Sequence, residues 1–259
     1  MTANKQPPIV AFVPCRAGSE RIARKNTRAF ADEPDGLIGI KLRQLQCCQS
    51  VDRIVLSTND PLVIEIARQR AHGTKPIEII ERPEHLCLSS TSTDELVRYV
   101  PSIIPEGIVL WTHVTSPLVA STEYDLMIDA YLRNISSRAH DSLMSVTELR
   151  SFLWSISGPL NYDRTKEKWP RTQTLEPVFV VNSAAFIIDV TLMRQLGDRV
   201  GERPVLFKMG ETISYEIDWE EQFTIAESLY RLRRDQSAAH PAMPSFIDVR
   251  SGTSQRSKL

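Results

Sequence analysis

The chain has 259 residues, of which 42% are hydrophobic, and its formal net charge is -1. This composition excludes a disordered polyelectrolyte and gives no bulk attraction to nucleic acid or to an anionic membrane surface. The longest apolar runs, such as residues 9–13, are too short to span a bilayer, so we expect no membrane partner. The near-zero net charge leads us to expect no nucleic-acid partner. Four cysteines without C-x-x-C spacing predict free thiols, which favours a cytoplasmic location.

Short apolar runs alternate with amphipathic stretches in the first half of the chain. Strands are predicted, in chain order, at residues 8–14, 53–57, 77–80 and 108–114. Helix starts are indicated by Asn59 or Asp60 before Pro61, by Ser92 or Thr93, and by Ser121 with Glu123. This alternation predicts the α/β class, with a mostly parallel sheet and helices on both of its faces.

The pattern changes after residue 141. Further strands are predicted at residues 143–146, 152–156 and 178–188, and the segment 157–177 between them is polar and contains several prolines. We interpret the region at about 150–178 as an excursion from the main sheet. A helix is predicted over residues 220–233. One domain over residues 1–234 and a flexible tail over 235–259 are therefore expected.

The loop after the first strand concentrates positive charge, with Arg16, Arg21, Arg24 and Lys25 in one short connection. Open α/β sheets bind ligands at the carboxyl ends of their strands, and guanidinium groups are good donors to phosphate oxygens. Gly18 is the only glycine of the loop, so neither a Walker A sequence nor G-x-G-x-x-G is present. On the residues alone, a triphosphate site and a solvated basic loop are both open.

A pair of carboxylates, Glu216 and Asp218, precedes the predicted helix at 220–233. Strand alternation would turn both side chains to the same side, where they could share one Mg²⁺ ion. An exposed acidic strand end is the alternative.

Two further loops carry polar groups. Arg82 and the hydroxyls of residues 89–93 can bind a base or ribose, although Ser and Thr also cap helices. His113 can contact a ligand or have a structural role. The histidines and cysteines lack zinc-ligand spacing, and no motif pairs a nucleophile with a base, so zinc and covalent catalysis find no support.

Taken together and in this order, these elements resemble the acylneuraminate cytidylyltransferase family. The resemblance covers about residues 9–230 and rests on VPCRAGSERIARKN, IVLSTND, RPEHLCLSSTST, THVTSPL, VNSAAFII and YEIDWEEQFTIAE. It implies a Rossmann-like nucleotidyltransferase sheet with a small dimerisation excursion. It also implies transfer of CMP from CTP to the anomeric hydroxyl of a 2-keto-3-deoxy sugar acid, an N-acylneuraminate or a related nonulosonic acid, with release of pyrophosphate.

The resemblance also assigns site residues. The nucleotide would be bound by Arg16, Ala17, Gly18, Ser19, Arg21, Lys25, Asn26, Arg82, Ser90, Thr91 and Thr93. The sugar acid would contact His113, Ser116, Arg171 and Asn182, and Mg²⁺ would be held by Glu216 and Asp218. Arg16, Lys25 and Asp218 would be catalytic. A homodimer is implied, in which the excursion carries Arg171 towards the neighbouring subunit's site.

Some positions depart from the family pattern. Glu20 stands where the family loop usually has lysine, and His113 occupies a position that is often glutamine. We expect Glu20 to point away from the phosphates and to pair with Arg21 or Arg24. Two other functions are compatible with the sequence: a metal-dependent glycosyltransferase, and a catalytically silent nucleotide- or sugar-binding homologue.

Overall fold

The computed structural model describes residues 6–239, and it centres on a mixed seven-stranded sheet. The nine strands, in chain order, are β1 (Ile9–Pro14), β2 (Arg53–Thr58), β3 (Ile77–Glu81), β4 (Ile108–Trp111), β5 (Ser142–Leu149), β6 (Trp154–Ser155), β7 (Gly158–Pro159), β8 (Val178–Asp189) and β9 (Pro204–Met209). The large sheet has the order β3-β2-β1-β4-β8-β5-β9, while β6 and β7 form a separate hairpin. Strand β8 runs antiparallel to both of its neighbours and all other pairs are parallel, so the expected mostly parallel sheet is confirmed.

In the part of the chain that the structure describes, six α-helices cover the sheet on both faces. They are α1 (Gly36–Cys47), α2 (Pro61–Arg70), α3 (Thr93–Ile103), α4 (Ser121–Ser136), α5 (Val190–Leu196) and α6 (Glu220–Ala239). Strand β1 shows why both faces are covered. Its residues Ala11 and Val13 pack into one apolar core with α1, α2, α4 and α6, whereas Val10 and Phe12 pack into the other with α3 and α5. Because a fully buried Val or Phe side chain stabilises the fold by about 1.5 to 3 kcal/mol, the alternation of β1 holds both layers to the sheet.

The helix starts follow from local capping. Asp60 accepts a hydrogen bond from the amide of Leu62 at 3.0 Å, and Pro61 occupies the first turn of α2. Ser92 and Glu95 form a reciprocal capping box at the start of α3. These contacts confirm the expected starts of both helices, and they place α3 directly after the hydroxyl-rich loop.

Several elements differ from the expectations. Strand β4 ends at Trp111 instead of residue 114, because its ladder with β8 stops at the pair formed with Phe186. The strand predicted at 152–156 is reduced to the two residues of β6, and β9 and α5 were not predicted. Helix α6 runs to Ala239, so the expected tail begins inside a helix; its remainder, 240–259, lies outside the described residues.

Within residues 6–239, no helix combines the length and the apolar character needed to cross a membrane.

Candidate active site

A cleft lies at the carboxyl ends of the parallel strands. It consists of two adjoining cavities, of about 210 and 250 Å³, which share Pro14, Arg16 and His113 in their linings. We call the cavity beside the residues 15–26 the phosphate-side cavity, and the one beside the loop before α3 the nucleoside-side cavity. Both lie where open α/β sheets bind ligands.

The phosphate-side cavity is built by the loop that follows β1. Its other lining residues are Cys15, Ser19, Glu20, Arg21, Lys25, Asn26, Val114 and Thr115. Gly18 has a φ of +76°, a left-handed conformation that favours glycine and turns the loop sharply. Two side-chain amides hold the loop backbone: Asn59 accepts from the amide of Ala17 at 2.9 Å, and Asn26 donates to the carbonyl of Arg16 at 3.2 Å.

The side chain of Arg16 lines both cavities. Its Nη1 donates to the carbonyl oxygens of Ala17, Gly18 and Cys87 at 3.4, 3.3 and 3.5 Å. These distances lie at or beyond the long end of the range for good N–H···O hydrogen bonds, so the contacts are weak. The guanidinium can therefore exchange them for an anionic oxygen at little cost.

The acidic pair contacts residues that line this cavity. Residues 215–218 are not a strand, so the expected alternation was wrong. Instead, the buried Ile217 donates its amide to the carbonyl of Thr115 at 3.0 Å and accepts from Nζ of Lys25 at 3.0 Å. Asp218 lies 3.4 Å from Arg21 and 3.8 Å from Lys25, while Glu216 accepts from the Thr115 hydroxyl at 3.3 Å.

The charges of this cluster are closely matched. Burial lowers the pKa of Lys25, Asp218 counteracts that shift, and Arg21 adds to it. A triphosphate or a metal ion that enters the cavity would therefore meet groups that now neutralise one another. Binding exchanges those ion pairs for contacts with the ligand.

The donor set fits a magnesium ion that arrives with phosphates. Among residues 6–239, no group of three or more His, Cys, Asp and Glu side chains is placed to hold a metal ion. Mg²⁺ does not require such a cage, because it commonly binds one or two carboxylates, substrate phosphates and water. The side chain of Asp218 is 41% exposed, so this carboxylate is open to a ligand.

The nucleoside-side cavity is lined by apolar and hydroxyl groups. Beyond the shared residues, its lining comprises Arg82, Leu86, Leu88, Thr91, Ser92, Thr93, Leu96 and Trp111. Arg82 is buried and donates to the hydroxyl and the carbonyl of Ser57 at 3.1 and 2.7 Å, and burial lowers its pKa. Thr91 and Thr93 line the cavity as expected, whereas Ser90 is exposed and lies outside its lining.

His113 lies where the two cavities join. Its Nε2 faces the indole Nε1 of Trp111 at 2.9 Å and Nη1 of Arg199 at 3.4 Å. The Arg199 guanidinium carbon lies 3.9 Å from the ring centre of Phe186 and 5.1 Å from that of Trp111. Burial, followed by the charge of Arg199, lowers the pKa of His113 to about 3, so the imidazole is neutral at physiological pH.

The loop after β4 is supported from the core. Lys41 is fully buried and donates to the carbonyl of Ser116 at 3.0 Å and to the hydroxyl of Tyr124, which contacts the Thr112 hydroxyl at 2.8 Å. Gln44 donates to the carbonyl of Pro117 at 2.6 Å. Burial lowers the pKa of Lys41 to about 7. These bonds anchor the backbone of residues 116 and 117, which follow His113 in the same loop.

Three residues expected at the sugar acid do not line the cleft of this chain. Ser116 is only 1% exposed, and its hydroxyl has no hydrogen-bond partner. Asn182 is buried in the sheet, where it contacts the hydroxyls of Ser145 and Thr147 at 2.6 and 3.1 Å. Arg171 is exposed in the excursion, at the start of a short 3-10 turn.

Glu20 does not behave as expected. It is exposed, lines the phosphate-side cavity and forms no ion pair with Arg21 or Arg24, two residues within the described range. Arg21 pairs with Asp218 instead and lies over the ring of Trp219 at 4.9 Å. Glu20 is therefore part of the wall of the cavity that the sequence assigns to the phosphates.

Sequence reasoning missed Arg199 and Asn59. Asn59 was considered only as a helix cap, and Arg199 follows a helix that was not predicted. Asn59 lies within IVLSTND, which marked the strand end but not this contact; no motif marks Arg199, which tertiary packing alone brings to His113.

Comparisons with known proteins bear on the family and the fold of the chain. Residues 10–167 match the family model described as Cytidylyltransferase. A structure of CMP:2-keto-3-deoxy-manno-octonic acid synthetase complexed with CTP is 13% identical, with a TM-score of 0.61 over 87% of this chain and 99% of that chain. A 4-diphosphocytidyl-2C-methyl-D-erythritol synthase from Anaerococcus prevotii is 13% identical, with a TM-score of 0.58 over 87% of this chain and 96% of that chain.

A third structure, a cytidylyltransferase from Leptospira borgpetersenii, is 13% identical and has a TM-score of 0.54 over 93% of this chain and 100% of that chain. At these identities the likeness shows a shared fold, which confirms the α/β nucleotidyltransferase architecture. The family model covers more than half of the sequence, from β1 into the excursion. The chain therefore belongs to the cytidylyltransferase family.

Proposed function

We propose that this protein transfers CMP from CTP to the anomeric hydroxyl of a 2-keto-3-deoxy sugar acid, an N-acylneuraminate or a related nonulosonic acid. The hydroxyl oxygen forms a bond to the α-phosphorus as the bond to the β-phosphate oxygen breaks. Pyrophosphate leaves with that electron pair, and the hydroxyl proton passes to solvent. One observation carries the proposal: a cationic loop lines a cavity that adjoins a hydroxyl-lined one, and two carboxylates contact residues of that loop and of the cavity wall.

The chain's own cations neutralise the charge that grows on the phosphates. Arg16 leaves its weak carbonyl contacts for a phosphate oxygen, while Lys25 stands between the loop and the acidic pair. In such sites, removal of a single preorganised donor costs on the order of 10²- to 10³-fold in turnover. Arg82, Thr91 and Thr93 orient the nucleoside.

Glu216 and Asp218 would hold Mg²⁺, whose positive charge stabilises the phosphate oxygens when it is bound. Asp218 is held in place beforehand by Arg21 and Lys25, and Glu216 by the Thr115 hydroxyl. Both carboxylates are thus oriented before any ligand arrives.

The protein is also proposed to act as a homodimer. The excursion exposes the apolar side chains of Ile156, Leu160 and Trp169, with Trp169 65% exposed. Apolar groups so exposed in one segment favour burial against a second copy. Arg171 lies two residues from Trp169, so the same contact would carry it towards the partner's cleft. All four cysteines are free, which supports a cytoplasmic location.

A second candidate is a catalytically silent nucleotide-binding homologue, favoured by one observation: Glu20, a negatively charged residue, lines the phosphate-side cavity. The two candidates differ in product formation. An active enzyme releases pyrophosphate, whereas a silent homologue binds CTP without turnover.

The deciding experiment is a pyrophosphate-release assay with CTP and a panel of eight- and nine-carbon 2-keto-3-deoxy sugar acids, with ATP, GTP and UTP as controls. We expect release that depends on CTP, on one acceptor class and on Mg²⁺, and that stops on chelation. CTP binding without release with any acceptor would favour the silent homologue. Turnover of a nucleotide sugar instead of CTP would refute both.

A further inference from the structure

Two side chains that can only donate converge on one nitrogen of His113. Trp111 donates from Nε1 to Nε2 at 2.9 Å, and Arg199 places Nη1 3.4 Å from the same atom. The indole nitrogen of a tryptophan can donate a hydrogen bond but cannot accept one. A guanidinium group stays protonated at all physiological pH values, so it too can only donate. Nε2 of His113 is therefore an unprotonated acceptor.

The other ring nitrogen must then carry the proton. A neutral imidazole has one N–H, so with Nε2 as acceptor that proton is on Nδ1. Among the residues that the structure describes, none forms a hydrogen bond with Nδ1. His113 contributes to the lining of both cavities, so this free donor lies at the junction where nucleotide and acceptor must meet.

We propose that His113 is a fixed Nδ1–H hydrogen-bond donor to an oxygen of the sugar-acid acceptor, with Trp111 and Arg199 as its positioning residues. This inference rests on the proposed function, since it names the substrate that the donor contacts. It also excludes His113 as the base that deprotonates the attacking hydroxyl, because Nε2 accepts from Trp111, with Arg199 more distant at 3.4 Å, and Nδ1 already bears a proton.

The packing explains why the two positioning residues can hold this arrangement. Trp111 is buried, and its ring packs edge-on against Phe12 at 4.7 Å, so the indole has one orientation. Arg199 is sandwiched against the buried ring of Phe186 and reaches over the edge of Trp111. Aromatic contacts therefore fix both donors before substrate binds.

The choice of the acceptor over CTP follows from charge. The phosphate-side cavity already has Arg16, Arg21 and Lys25 for the triphosphate, and the nucleoside-side cavity has Arg82. His113 is neutral and lies between these groups. A neutral donor with one fixed orientation can select an oxygen of the sugar acid by its position. The cationic side chains neutralise the charge of the phosphates instead.

The tautomer is tested directly by nitrogen NMR of protein labelled with ¹⁵N-histidine. The chain has five histidines, and the spectrum of His113→Asn identifies the signal that belongs to His113. Free neutral imidazole side chains in water favour Nε2–H, so an Nδ1–H pattern for His113 at pH 7 is the expected and diagnostic result. An Nε2–H pattern, or a doubly protonated ring, would overturn the proposal.

A second measurement tests the positioning residues. In the double variant Trp111→Phe and Arg199→Met, both donors are lost, and we expect the Nε2–H form of His113 to appear. Arg199→Lys alone keeps a donor, so it should retain the wild-type pattern. The melting temperature of the double variant shows whether it is folded. If the folded double variant keeps the Nδ1–H form of His113, Trp111 and Arg199 are not its positioning residues.

The donor role is tested by two substitutions at the same position. The amide nitrogen of Asn can occupy the place of Nδ1, whereas the amide of Gln extends to the place of Nε2. We expect His113→Gln to raise the KM for the acceptor about tenfold, the loss of one hydrogen bond, with the KM for CTP unchanged. His113→Asn should raise the same KM by less than His113→Gln does, because its amide can still donate from the place of Nδ1.

The opposite order, or an effect on CTP alone, would overturn the donor role. If the wild type releases no pyrophosphate with any acceptor, the proposed function fails and the acceptor contact fails with it. The NMR result still decides the tautomer in that case, so the two failures are distinguishable.

Discussion

Replacing Lys25 with methionine is expected to weaken CTP binding strongly while the fold persists. Methionine retains most of the length of the lysine stem and removes its charge. The Lys25 side chain is 15% exposed, and its Nζ contacts the carbonyl of Ile217 at 3.0 Å and lies 3.8 Å from Asp218. The substitution therefore removes a desolvated cation from the wall of the phosphate-side cavity.

The magnitude follows from the bond that the phosphate would lose. A hydrogen bond to a charged group contributes about 1.5 to 3 kcal/mol. Since about 1.4 kcal/mol corresponds to tenfold in an equilibrium constant, the Kd for CTP should rise about 10- to 150-fold. The loss of the Asp218 contact adds a smaller effect, because that carboxylate keeps Arg21 at 3.4 Å.

Isothermal titration calorimetry with CTP at one fixed salt and Mg²⁺ concentration measures this change, because screening alters every charge effect. Lys208→Met is the matched control, since Lys208 pairs with Glu148 and lies in neither cavity lining. A Lys25→Met variant that is folded and binds CTP within about twofold of the wild type would refute the assignment of Lys25 to the phosphates.

Three other outcomes are expected. Glu20→Gln should bind CTP about fivefold more tightly, because a carboxylate about 4 Å from a phosphate charge costs roughly 1 kcal/mol in water; unchanged or weaker binding in a titration would show that Glu20 does not face the phosphates. Lys41 has a folded pKa of about 7, below its ordinary value of 10.5, so the unfolded chain binds more protons between these values and stability rises with pH. Between pH 7 and 9 the wild type should gain about 2 kcal/mol relative to Lys41→Met in urea unfolding, whereas the exposed-lysine control Lys166→Met should track the wild type; parallel profiles for wild type and Lys41→Met would contradict the buried charge. Arg171→Ala and Asp218→Asn should each be nearly inactive, but co-refolding them should restore about a quarter of wild-type turnover, because half of the dimers would hold one intact shared site; no recovery from a mixture that dimerises would rule out sharing.

Local chemistry made much of the fold predictable. Asp60 and Ser92 cap helices through contacts within three residues, so sequence alone located both helix starts. The apolar run of β1 is buried on both faces, as a central parallel strand must be, and it is equally visible in the sequence. By contrast, β9 lies at the sheet edge and alternates exposed with buried positions around Lys208, which left too weak a pattern.

The site was predictable in its residue types and less so in its geometry. The cationic loop and the hydroxyl-rich loop line adjoining cavities because both follow parallel strands. The acidic pair was placed on a strand, whereas a long-range bond from Ile217 to Thr115 orients it. Arg199 came from a segment without a motif, and only the antiparallel pairing of Trp111 with Phe186 provides the surface on which it stacks.

The backbone of Ile217 joins three segments that are far apart in the chain. Its amide bonds to Thr115 after β4, its carbonyl bonds to Lys25 after β1, and its side chain is locked in the core. The loop after β1 and the loop after β4 are thus coupled through Ile217 to the carboxylates on either side of this residue. We expect the cleft to open as one cooperative unit, so that the Ile217 amide exchanges its proton with solvent only when all three segments separate together.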